Sequence, residues 1–80
     1  MLNQYALRQT LEAAAAAHHE YQTVALDRVH DEQWAAFYAA YALGRLGDFM
    51  APSALKAQLE AVEPRDNWSE AAAEAIVSAL

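Results

Sequence analysis

The side chains able to do chemistry are concentrated between positions 18 and 31, where His18, His19, Glu20, Asp27, His30 and Asp31 occur together. Imidazoles and carboxylates in one region are the raw material of a metal centre. The spacing argues against one. On a straight helix His18 and His19 stand about 100° apart and cannot ligate a single ion. Neither His-x-x-x-His nor Glu-x-x-His falls on an inward face, as metal sites in helical bundles require. His18 lies in the middle of an apolar stripe, whereas His19 points towards Arg8, Glu12 and solvent. A dyad of His18 with a tyrosine has the groups for acid–base work. An imidazole at the edge of a core, hydrogen-bonded to a neighbour, accounts for His18 equally well. Nucleophilic chemistry has little to build on. There is no Cys, and the serines are Ser53, Ser69 and Ser78. Gly44 and Gly47 are the only glycines, so no glycine-rich phosphate loop exists. Catalysis is therefore the weaker reading, and no catalytic residue, metal or cofactor is assigned.

The aromatic residues say more. Trp34, Phe37, Tyr38 and Tyr41 are half of the chain's eight aromatic residues. At about 100° per residue they share one helix face roughly 100° wide. Arg45 projects in line with them. It can lie over Tyr41 as a cation–π partner, rest its stem on the rings with its charge in water, or contact an anion at the mouth of a pocket. From Trp34 to Gly44 the chain carries no charge. A helix that is apolar all round is expected to be buried all round, so it either occupies the centre of the domain or turns its second face to another protein. His18, Tyr21, Trp34, Tyr38, Tyr41 and Arg45 together make a candidate ligand site, because rings with a few polar anchors are the usual lining of a small-molecule pocket. The competing explanation is that the same rings fill a core in which alanines leave volume.

Four helices would position these residues, spanning about 3–24, 31–46, 52–62 and 67–79. In the first, Leu7, Leu11, Ala14, His18, Tyr21 and Ala25 line one face, and the alanines from 13 to 17 suit close approach of another helix. The short connection from Leu26 to His30 makes the first two helices antiparallel neighbours. It brings His18 and Tyr21 towards Trp34 and Tyr38, with Asp27, Arg28 and His30 adjoining. Asp31 is a suitable N-cap for the second helix and Gly47 a suitable stop. Phe49 and Met50 plug the bottom of the core. Pro52 or Ser53 starts the third helix, whose inner face is Leu55, Leu59 and Val62. Pro64 ends it. Asn67 with Glu70 has the form of a capping box for the fourth helix, with Trp68, Ala72, Ala75, Ile76 and Ala79 facing inward. No strand and no internal repeat is evident.

The segment Asp31-x-x-Trp34-x-x-Phe37-Tyr38-Ala39-x-Tyr41, preceded by His18-x-x-Tyr21, resembles a group of short bacterial all-α proteins and appended domains. These carry His-x-x-Tyr and Trp-x-x-Phe/Trp-Tyr-Ala-x-Tyr patterns and have no established activity. The resemblance spans roughly Ala14 to Leu46. It implies that the two segments belong together and that the chain is a complete small protein, and it assigns no catalytic residue.

Eighty residues make one domain, and a chain this short is marginally stable alone. Twenty-one residues are alanine, which favours helix but buries little area. Self-association is an attractive source of further burial. The net charge of −6 argues against nucleic acid, which calls for a basic footprint, and against anionic membrane surfaces. The start Met-Leu-Asn-Gln-Tyr is not a signal peptide, and no apolar run is long enough to span a bilayer. These observations predict a small, acidic, cytoplasmic all-α four-helix bundle-like domain, with the second helix central. Its expected role is an interaction or accessory module that forms a homodimer or binds another protein. The alternative is a binder of a small apolar or aromatic ligand between the first two helices.

Overall fold

The computed structural model describes residues 2–24, 33–64 and 66–80. It is an all-α bundle of α1 (Gln4–Val24), α2 (Trp34–Leu46), α3 (Pro52–Ala61) and α4 (Trp68–Ala79), with no strand among the described residues. Helix α2 packs between α1 and α3, and α4 closes the bundle by packing on both α1 and α3. The C-terminal end of α1 meets the start of α2, as a short connection requires. The connecting residues 25–32, including Asp27, Arg28, His30 and Asp31, lie outside the described residues.

Each helix begins and ends for a local reason. The Asn3 side chain accepts a hydrogen bond from the Ala6 backbone N–H at 2.7 Å, which caps α1. Gly47 ends α2 with φ 90° and ψ 174°, a region open essentially only to glycine. There its N–H donates to the Leu43 carbonyl at 2.9 Å. Pro52 opens α3 in the first turn, where its missing N–H costs nothing. Two expected caps differ. The N-cap position of α2 is Gln33, so α2 starts later than residue 31. At α4, Asn67 has φ −104° and ψ 35° and its side chain makes no cap hydrogen bond, so the Asn67–Glu70 capping box does not form. An N-cap side chain reaches its N–H from the extended region, and Asn67 is not extended.

The core is thin. Among the described residues the large, fully buried side chains are Leu7, Leu11, Leu55, Leu59 and Ile76. Burial of each stabilises the fold by about 1.5–3 kcal/mol. Ala35, Ala39, Ala42, Ala72 and Ala73 complete the same cluster, and Ala14 of α1 is buried as well. Phe49, Met50 and Val62 pack against this cluster from its margins. The inward face of α2 is a departure from the sequence reading. Its buried residues are Ala35, Ala39 and Ala42, whereas Trp34, Phe37, Tyr38 and Tyr41 are half-buried and Ala40 and Gly44 are exposed. The buried stripe is rotated by roughly a third of a turn from the aromatic one. The helix is therefore not buried all round. Alanines let α1 and α3 approach the α2 backbone closely, and the bulky rings are displaced to the flank.

Candidate functional site

The rings displaced to the flank of α2 form a continuous assembly that joins three helices. His18 of α1 is buried. Its ring meets Phe37 at 5.1 Å between centroids and Tyr38 at 5.6 Å. Tyr21, one turn later and exposed, stacks on Phe37 at 5.6 Å with planes 23° apart. Tyr38 is the hub. Besides His18 it contacts Phe37 at 6.5 Å, Trp34 at 5.5 Å and Trp68 of α4 at 5.5 Å. Trp34 and Trp68 meet at 5.7 Å. Aromatic pairs of this kind contribute about 0.5–1.5 kcal/mol each beyond the area they bury. Burial pushes the Tyr38 phenol above its ordinary value of 10.0, because the charged phenolate loses hydration. The hydroxyl is thus a neutral donor and acceptor throughout the physiological range.

Two of the openings among the described residues flank the body of α2. One is a cleft of about 240 Å³ lined by Trp34, Tyr38, Val62, Pro64 and Trp68. The other is a groove of about 280 Å³ between α2 and α3, lined by Ala36, Ala39, Ala40, Leu43, Pro52, Ser53 and Lys56. Lys56, the one charge in that lining, is paired with Glu60 one turn on at 3.3 Å.

The six residues singled out in the sequence divide into two groups. His18, Tyr21, Trp34 and Tyr38 belong to the ring assembly, joined through Phe37. Tyr41 and Arg45 pair with each other further along α2, where an Arg45 Nη1 donates to the Tyr41 hydroxyl at 3.5 Å. A cation over a ring occurs at another place, with Arg8 5.3 Å from the centre of Tyr5. His19 is exposed. Among the described residues no three His, Asp or Glu side chains are placed to hold a metal ion. No described helix is long and apolar enough to cross a membrane.

Sequence reasoning missed Val62, Pro64 and Trp68 as neighbours of Trp34 and Tyr38. The available signal was modest: Trp68 opens α4 on its inward face, and Pro64 marks the preceding bend. The contact of α4 with α1 was also out of reach, including the Ser69 hydroxyl that donates to a Glu12 carboxylate oxygen at 3.1 Å across the bundle.

No family model, curated protein or solved structure matches this chain. Its function is therefore argued from its own residues.

Proposed function

We propose that the protein is a small helical interaction module that self-associates through the outer face of α2. One observation carries this reading. Ala36, Ala40 and Gly44 recur at every fourth residue on that face, beside Leu43, and none of them is shielded within the chain as the core alanines are. A Cβ built on Gly44 has nothing within 4 Å. Uncharged small residues in a row let a second backbone come close, and Leu43 and Pro52 supply apolar area at the side. A two-fold axis across this stripe makes each copy donor and recipient of the same surface. The core gives a reason for such pairing, since among the described residues five large side chains are fully buried, and a domain of this size is marginal alone.

Native mass spectrometry and sedimentation equilibrium test the proposal. The wild-type chain is expected to give a dimer mass that dissociates on dilution. Ala40→Glu, at an exposed helix position where Glu is well tolerated, is expected to give a monomer with unchanged helical circular dichroism. A wild-type chain that stays monomeric at the highest attainable concentration overturns the reading.

A further inference from the structure

We propose that Trp34, Tyr38 and Trp68 form a three-walled aromatic cage that takes a trimethylammonium group. The ring planes cross at 89° for Trp34 and Tyr38, 89° for Tyr38 and Trp68, and 72° for Trp34 and Trp68. The centroids are 5.5–5.7 Å apart. A group seated against three walls so spaced lies within the roughly 6 Å over which a cation is attracted to a ring face. The three rings line one open cleft of about 240 Å³, with Val62 and Pro64 completing it. All three pack against the core yet are only half-buried, so part of each ring remains open at the cleft.

The lining selects the ligand class. Among the described residues it contains no carboxylate or ammonium, so a small, strongly hydrated cation such as sodium gains nothing there to replace its water. A quaternary ammonium is weakly hydrated, carries apolar methyl groups and keeps its charge at every pH. Rings attract it by their quadrupoles and Val62 and Pro64 by contact. The surroundings favour a cation over an anion. Glu63 and Asp66, on either side of the Pro64 segment, are exposed, and the whole chain carries −6. The same head group occurs in free choline-like metabolites and in trimethylated lysine side chains.

The experiment uses intrinsic fluorescence, because Trp34 and Trp68 are the chain's only tryptophans and both line the cleft. Choline, its neutral tert-butyl isostere dimethylbutanol, and a trimethyllysine peptide with its unmethylated twin are titrated into the full chain. Indole N–H resonances are followed in parallel. Saturable change with choline, several-fold stronger than with dimethylbutanol, supports the cage and a small-molecule source. Stronger binding of the trimethylated peptide than of choline supports the same cage with a side chain as its occupant. Trp68→Leu removes one wall and is expected to weaken choline binding roughly 5–30-fold, with Trp68→Phe restoring part of it. Should Trp68→Leu fail to fold, Glu63→Lys leaves the rings in place and is expected to weaken binding several-fold. Equal response to choline and dimethylbutanol, or no saturable change in fluorescence and resonances with any probe, overturns the proposal.

Discussion

Replacing Gly44 by alanine separates what the helix wants from what an interface demands. Gly44 sits within α2, is exposed, and an added Cβ meets nothing within 4 Å. In a single chain the substitution therefore has no steric cost. It removes backbone freedom from the unfolded state and stabilises the helix by about 0.5–1 kcal/mol. For a chain of this length that is a rise in Tm of roughly 2–8 °C. Gly47, three residues on, is the internal control. Its φ of 90° with ψ of 174° makes Gly47→Ala costly by about 1–3 kcal/mol, so two identical changes at neighbouring glycines have opposite signs. The assay is thermal and urea unfolding by far-UV circular dichroism across a wide range of protein concentration. At low concentration Gly44→Ala is expected to melt above wild type. At high concentration the gain shrinks or reverses if a second α2 approaches at Gly44, because the new methyl group then stands between two backbones. A loss of stability at every concentration refutes the reasoning, since it means that Gly44 is crowded or non-helical within its own chain.

Three further outcomes follow from particular residues. Leu11→Ala empties a fully buried site and is expected to cost about 2–5 kcal/mol, a large share of the roughly 4–12 kcal/mol available to a chain this long, as read from urea midpoints. Asn3→Ala removes the side chain that accepts the Ala6 N–H and is expected to cost about 0.5–2 kcal/mol, with fraying seen as faster amide exchange in the first turn of α1. Burial raises the Tyr38 phenol above 10.0 in the folded chain, so its contribution to stability is complete below that value and is lost as pH climbs through the higher folded one. Tyr38→Phe is expected to flatten the alkaline decline in stability, and identical alkaline slopes in the two proteins contradict that assignment.

The four helices were legible because the breaks between them are chemical. Gly47, Pro52 and Pro64 fix three ends, and the long uncharged or amphipathic runs between them suit helix alone. The adjacency of His18 and Tyr21 to the aromatic helix was also legible, since a short connection leaves antiparallel packing as the ready solution. The orientation of α2 was not. Wheel reasoning weights residues by size, and the four rings outweigh any alanine. Packing weights the distance at which helices approach, and Ala35, Ala39 and Ala42 win that contest on two sides at once. The cap at Asn67 failed for a similar reason: its residue type permits capping, but the backbone entering α4 holds it outside the extended conformation that capping requires. The cleft depended on bringing Trp68 to Trp34 from the far end of the chain, and no local pattern encodes that distance.

The alanine-lined interior has a consequence for how such a protein can be dissected. Six of the eleven buried hydrophobic residues described are already alanine, so truncation to alanine cannot report on more than half of the interior. A conventional scan would map sensitivity onto leucines and rings and leave the helix–helix seams blank. The informative change runs the other way. Adding one or two heavy atoms, as in Ala to Ser or Val at positions 14, 35, 39, 42, 72 and 73, would draw the seams as a line of intolerance. In this chain the smallest side chains are expected to be the least replaceable, and a substitution profile ranked by residue size would come out inverted.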